Sequence, residues 1–101
     1  MGVFLLVEFD MPGHAASWRK ASPEIAANCP KAGYSSVNPL NNLTYRHIEA
    51  YVTDLKKIFN SSGATPLLHL GGDEVNKACW EEDVEIKKYM DENNITSEAL
   101  W

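Results

Sequence analysis

The sequence predicts an α/β chain in which two parallel strands are joined by a helical crossover. Three observations carry that expectation. Val3-Phe4-Leu5-Leu6-Val7 is apolar at every position, which suits a strand covered on both faces, as in a parallel sheet. A second apolar stretch, Leu67, Leu68 and Leu70, runs into Gly71-Gly72 and reads as another short buried strand. Between them Ile48, Tyr51, Val52, Leu55, Ile58 and Phe59 recur at steps of three and one, marking one apolar face at helical period that would pack on the sheet.

Taken in order, the first strand ends in Glu8-Phe9-Asp10-Met11-Pro12-Gly13-His14. Residues 28–42, rich in Asn, Pro, Gly and Ser, form a long loop. Asn41 or Asn42 caps the crossover helix, and Asn60-Ser61-Ser62-Gly63 stops it. His47 lies inside that helix as a surface or edge residue without chemistry. After the second strand a weaker helix is expected from about Glu81 to Glu92, ended by Asn93-Asn94, and Thr96 to Trp101 reads as the start of another. Trp18 and Trp80 read as packing residues near the loops.

Nine basic residues against 14 acidic ones give a net charge of −5, and the basic residues are scattered, so nucleic acid is not an expected partner. No stretch approaches the length of a membrane span, and residues 1–7 lack the basic flank and cleavage site of a signal peptide. Repeats and low-complexity tracts are absent from the sequence. Two parallel strands and their crossover leave both sheet edges and much of one face uncovered, so the 101 residues are expected to be a piece of a larger domain.

Both apolar runs end in acids, a glycine or two and a histidine: Asp10, Gly13 and His14 after the first, His69-Leu70-Gly71-Gly72-Asp73-Glu74 at the second. In parallel sheets the carboxyl edge of the strands is where ligands bind. Side chains alternate along a strand, so Asp73 and Glu74 could reach one substrate only if the strand ends or bends there, which the glycines permit. Alone, Gly-Gly-Asp-Glu is more readily a strand-to-helix turn whose acids cap the next helix, and a lone His14 a loop or core histidine. Two such strand ends together point to acid–base chemistry. A metal reading with His14, His69, Asp10 and Asp73 as ligands lacks any His-x-x-x-His or clustered cysteine spacing, so neither metal nor other cofactor is expected. Cys29 and Cys79 leave a disulfide and a pair of free buried thiols both open. Asn42-Leu43-Thr44, Asn60-Ser61-Ser62 and Asn94-Ile95-Thr96 are N-glycosylation sequons.

Glu8 through His14, Ser17-Trp18 and the run from His69 through Glu74 to Cys79-Trp80 resemble the family 20 glycoside hydrolases, the β-N-acetylhexosaminidases. The resemblance spans nearly the whole chain, with both motifs in the expected order. It implies a (β/α)8 TIM barrel of which residues 1–101 are a fragment of the catalytic domain, supplying the third strand, the helix after it, the fourth strand and the start of the following helices. It implies hydrolysis of terminal N-acetylglucosamine or N-acetylgalactosamine from glycoproteins, glycolipids or chitooligosaccharides, by a retaining mechanism assisted by the substrate's own acetamido group. Asp73 would hold and stabilise that group, Glu74 would act as general acid and then base, and His14 would sit near Glu74. Asp10 would support the loop or contact sugar hydroxyls. The family places the acid behind this histidine on an earlier strand, outside the present sequence. The resemblance also implies a Cys29–Cys79 disulfide; with the three sequons it favours a lysosomal or secreted route, conditional on a signal peptide beyond this sequence. A homo- or heterodimer of the complete enzyme is compatible with it. The rival reading is a catalytically inactive barrel fragment that binds N-acetyl sugars or serves structurally; intact Asp73 and Glu74 argue against degeneracy, although the 101 residues alone are expected to be inactive. One departure is Val7, where many relatives have proline.

Overall fold

The computed structural model describes residues 2–3, 5–61, 63 and 67–101. Strand β1 (Val7–Glu8) lies parallel to β2 (Leu68–His69), with Val7 opposite Leu68 and Glu8 opposite His69. Backbone bonds continue the ladder towards the carboxyl ends, from Phe9 N–H to the His69 carbonyl at 2.8 Å and from Met11 N–H to the Leu70 carbonyl at 3.3 Å. The two chemically suggestive strand ends therefore emerge side by side.

The strands are shorter and barer than their apolar sequences predict. Val3, Leu5 and Leu6 carry no strand pairing and are exposed, and so are Leu67 and Leu70; Phe4, in the middle of the first run, lies outside the described residues. Among the described residues the sheet has two strands and no third strand covers those side chains, which therefore stay exposed.

The crossover is α2 (Asn42–Ser61). Of the two candidate caps Asn41 serves: its Oδ1 accepts the Leu43 N–H at 2.9 Å. Ser62 of the expected stop, which is also the third residue of the second sequon, lies outside the described residues. Ile48 and Tyr51 pack on a cluster of Phe9, Met11, Ala15 and Val37, with Trp18 and Leu68 at its margin. Phe9 stacks on Tyr51 with centroids 3.9 Å apart and meets Trp18 edge-on at 5.4 Å, the offset and T-shaped contacts that aromatic quadrupoles favour. Farther along the same face Ile58 is exposed. His47 is partly buried near Trp18 and Glu24 rather than fully on the surface. No helix among the described residues is long and apolar enough to cross a membrane.

A second cluster surrounds the Cys29–Cys79 disulfide, with Ala27, Trp80, Ile86 and Met90 fully or nearly fully buried. Trp80 joins the two clusters, because its indole N–H donates to the Val37 carbonyl at 2.9 Å while its ring is 1% exposed. Trp18 and Trp80 are thus packing residues, as expected.

The helix expected from Glu81 to Glu92 is two helices, α3 (Lys77–Glu82) and α4 (Val84–Asn93). Asp83 divides them: it adopts an extended conformation, and its Oδ1 accepts the Glu85 and Ile86 N–H groups at 3.0 and 3.1 Å. A short carboxylate satisfies a helix start better than it serves a helix interior. Its other oxygen accepts the Asn28 N–H at 2.7 Å, and both oxygens of Glu82 hold the Lys31 and Ala32 N–H groups, so this acidic stretch pins the long loop. Asn94, left-handed at φ 52°, ends α4 as expected. Thr96 to Trp101 forms turns rather than a helix. It is tied to α3 by Lys77 and Glu98 at 2.8 Å, a bond that, with a further one from Thr96, draws the Glu98 carboxyl down to about 2. Short α1 (Trp18–Ala21), the 3₁₀ turn Pro23–Ile25 and a bridge between Ala26 and Val37 also fill the crossover.

Candidate active site

The strand ends bend at once. Gly71 and Gly72 have φ of 65° and 102°, and Glu74, a non-glycine residue, has φ 53°. His14, in the facing loop, has φ 48°. Left-handed backbone at non-glycine residues costs of order 1–3 kcal/mol and persists only where surrounding contacts impose it, which is characteristic of functional sites. The two loops touch: a Cβ built on Gly13 would stand 3.4 Å from the Val75 Cα and 3.7 Å from the Glu74 carbonyl oxygen.

Three predicted site residues form a line across this contact. Asp10 Oδ2 lies 2.5 Å from His14 Nδ1, and His14 Nε2 lies 3.6 Å from Glu74 Oε2. Asp10 Oδ1 accepts the Gly72 N–H at 2.9 Å. That N–H bond, followed by the one from His14, lowers the Asp10 pKa; the hydrogen bond and negative charge of Asp10 raise that of His14, and the charges of Glu74 and Asp73 add to the effect. His14 and Glu74 are more than half exposed, whereas Asp10 is mostly covered. A cavity of about 480 Å³ opens beside Glu74, bounded by Pro12, Gly72, Lys77 and Trp101 among others.

Asp73 lies close to Asp10: carboxylate oxygens of Glu8, Asp10 and Asp73 fall within 4.8 Å of one another. This acidic group differs from the set of His14, His69, Asp10 and Asp73 weighed for a metal, and both oxygens of Asp10 are already engaged by His14 and Gly72. His69 turns to Glu8 at 3.4 Å, and its Nδ1 also receives the Gly71 N–H at 3.1 Å. Two features of this arrangement escaped the sequence reading. Glu8 belongs to the acidic cluster, a placement that its alternation with Asp10 along one strand could have signalled. The other is that Asp10 of the same loop contacts the His14 ring; the acid that the resemblance places behind this histidine lies outside the chain. Cys29 and Cys79, expected as a bridge, are joined. Asn42, Asn60 and Asn94 are all exposed, and the Thr44 hydroxyl of the first sequon is buried against the Asn38 carbonyl at 2.6 Å.

A parallel β–helix–β unit that gathers carboxylates and a histidine at the carboxyl ends of its strands defines an α/β protein with a candidate acid–base site. The chain belongs to glycosyl hydrolase family 20: the model of that family's catalytic domain matches residues 1–100. The catalytic domain of the family is in general a TIM barrel. Among curated proteins the chain is similar to β-hexosaminidase subunit A2 of Dictyostelium discoideum, 40% identical over 103 residues. It is also similar to human β-hexosaminidase subunit beta, 32% identical over 94 residues, and to β-hexosaminidase 1 of Arabidopsis thaliana, 32% identical over 102 residues. These alignments cover 98%, 88% and 99% of the chain but only 18%, 16% and 17% of the respective relatives.

Proposed function

We propose that the protein is a β-N-acetylhexosaminidase that removes terminal N-acetylglucosamine or N-acetylgalactosamine from glycans, with retention and with the substrate's acetamido oxygen as nucleophile. The observation that carries this reading is the line from Asp10 through His14 to Glu74, with Asp73 adjacent, at the meeting of two strand ends in a chain of family 20. In this reading the chain supplies the third and fourth strands of the barrel and the helix between them, and activity belongs to the complete barrel. The relatives named as β-hexosaminidases support the substrate class.

Attack by the acetamido oxygen on the anomeric carbon breaks the glycosidic bond and leaves a positively charged oxazolinium-like ring. Asp73 accepts a hydrogen bond from the acetamido N–H and stabilises that charge. Glu74 gives its proton to the departing oxygen, then takes one from the water that opens the ring. The open cavity beside Glu74 gives the departing part of the glycan somewhere to lie. His14 contacts Glu74 from the side away from Asp10 and biases the protonation of the pair.

Asp73→Asn in the full-length protein is expected to lower kcat on an N-acetylglucosaminide by about 100-fold, the usual scale for removing one preorganised electrostatic partner. Steady-state kinetics check this, and unaltered turnover would rule out substrate assistance through Asp73. The same reading places the protein on a lysosomal or secreted route with glycans on Asn42, Asn60 or Asn94, in keeping with the disulfide and with the exposure of all three asparagines. Treatment of the protein from its native cells with an N-glycan-removing amidase is expected to increase its gel mobility; an unchanged band would count against that route.

A further inference from the structure

We infer that the cavity beside Glu74 seats the leaving group and takes a neutral sugar in preference to a uronate, with Trp101 as its platform and the Lys77–Glu98 pair as its polar wall. This deepens, and rests on, the reading of the site as a hexosaminidase centre. A general acid stands next to the oxygen that departs, so a cavity bordered by Glu74 holds either the sugar that is retained or the group that leaves. Asp73 decides between them. In that reading it receives the acetamido group of the retained sugar, yet it does not line the cavity, which runs from Glu74 along the start of α3 to Ser97, Glu98 and Trp101. At about 480 Å³ the cavity has the size of a small-molecule site.

Its walls offer what a neutral carbohydrate requires, an aromatic face and hydroxyl partners of both kinds. Trp101 is 49% exposed where it meets the cavity. Its ring is nonetheless held, because Tyr45 stacks on it with centroids 5.9 Å apart and planes 15° from parallel, and the Tyr45 hydroxyl donates to the Pro39 carbonyl at 2.7 Å. The negative face of an indole attracts the polarised C–H groups on the less polar side of a sugar ring. Lys77 Nζ and Glu98 Oε1, 2.8 Å apart, set a donor beside an acceptor, the combination that sugar hydroxyls can use in either direction.

The charge of the wall sets the preference. When Glu74 carries the proton that it will transfer, the other charged residues lining the cavity are Lys77 and Glu98, which cancel at contact. Bonds from Lys77 and then from Thr96 draw the Glu98 carboxyl down to about 2, so Glu98 is ionised from acid pH upward. A hydroxyl meets no penalty in such a wall. A uronate carboxylate finds the Lys77 ammonium already neutralised and Glu98 repelling it, and once Glu74 has given up its proton a second carboxylate stands beside it.

Glu98→Gln and Trp101→Ala in the full-length protein test the assignment on two disaccharides that differ only at C6 of the leaving sugar, N-acetylglucosamine linked β to glucose and to glucuronate. The wild type is expected to cleave the glucose compound with the higher kcat/KM. Glu98→Gln uncovers the Lys77 charge and should shift the ratio of the two kcat/KM values about 5-fold towards the glucuronate compound, the scale of one unit charge at contact in water. Trp101→Ala should lower kcat/KM on the glucose compound about 10-fold, with Trp101→Tyr recovering part of the loss, while the Ki of the thiazoline analogue of N-acetylglucosamine, which has no leaving group, stays at the wild-type value. A wild type that prefers the glucuronate compound, or a ratio that Glu98→Gln does not move, would overturn the assignment. So would a thiazoline Ki that rises in Trp101→Ala as steeply as kcat/KM falls, because the ring would then serve the retained sugar or the fold. If Trp101→Ala does not fold, the ratio in Glu98→Gln decides. A wild type that cleaves neither disaccharide would defeat the functional reading instead, and calorimetric binding of the sulfur-linked, uncleavable forms of both to wild type and Glu98→Gln would then judge the cavity by the same ratio.

Discussion

Glu74→Gln in the full-length protein is expected to lower turnover of an unactivated N-acetylglucosamine disaccharide by about 1,000-fold, within the range that a positioned general acid contributes. The substitution is nearly isosteric and removes only the transferable proton. Glu74 stands more than half exposed at the edge of an open cavity, and its recorded side-chain contact is His14 at 3.6 Å, so the fold has little to lose. The defect should therefore appear in kcat while the thermal midpoint stays at the wild-type value. It should also depend on the leaving group. A nitrophenolate departs without a proton, so the aryl glycoside should lose much less than the disaccharide. Equal losses on both substrates would indicate that Glu74 positions the sugar rather than protonating the oxygen. Undiminished disaccharide turnover would remove it from the chemistry altogether.

The second large effect concerns stability. Replacing Cys29 and Cys79 together by alanine is expected to destabilise the domain by about 4 kcal/mol, because the bridge closes a loop across a separation of 50 residues and so restricts the unfolded chain. Alanine is the informative choice. Both sulfurs sit at zero exposure among Ala27, Trp80, Ile86 and Met90, where serine would add buried hydroxyls without partners and confuse two effects. The bridge joins the long loop to α3, the helix that follows Glu74, and Trp80 beside it ties that cluster to the one under β1 through the Val37 carbonyl. Urea unfolding of the oxidised wild type and the double variant provides the test. A lower midpoint is expected, with a slope at least as steep because the unfolded chain without the crosslink exposes more surface; coincident curves would mean that the hydrogen bonds of Glu82 and Asp83 to the loop suffice without the crosslink.

Much of this architecture was legible in the residues because periodicity reports burial. The six-residue apolar face of α2 located the crossover, and Asn41 beside Asn42 located its start to within one position. The two apolar runs gave a parallel pair, although pairing is confined to Val7–Glu8 and Leu68–His69. What they could not give was coverage: Leu5, Leu6 and Leu70 read as buried, yet burial depends on a neighbouring layer, and the described residues offer them none. Asp83 was hidden for a different reason. In Glu81-Glu82-Asp83 it resembles one more acid on a solvated helix face, and only its reach to two N–H groups of the following turn and to Asn28 reveals a cap and a boundary.

The site divides in the same way. Glycines before Asp73-Glu74 announced a bend, and Gly71, Gly72 and Glu74 are all left-handed. The motifs also brought Asp10, His14 and Glu74 under suspicion, and the three do converge. Their connectivity was not readable, because a side-chain-to-backbone bond from Asp10 to Gly72 has no sequence signature. The pairing of Asp10 with His14 four positions later was likewise masked by Pro12 and Gly13, which break any regular spacing. Glu8 carries no role in the sequence motif, although two-residue alternation puts it on the side of Asp10.

A crystal structure of the full-length protein with the thiazoline analogue of N-acetylglucosamine bound tests the central assignment most directly, since that compound reproduces the cyclised acetamido group. The account predicts Asp73 within hydrogen-bonding distance of the thiazoline nitrogen, Glu74 facing the vacant side of the anomeric carbon, and His14 between Glu74 and Asp10. A bound thiazoline with either Asp73 or Glu74 turned into the protein interior and out of reach would contradict it.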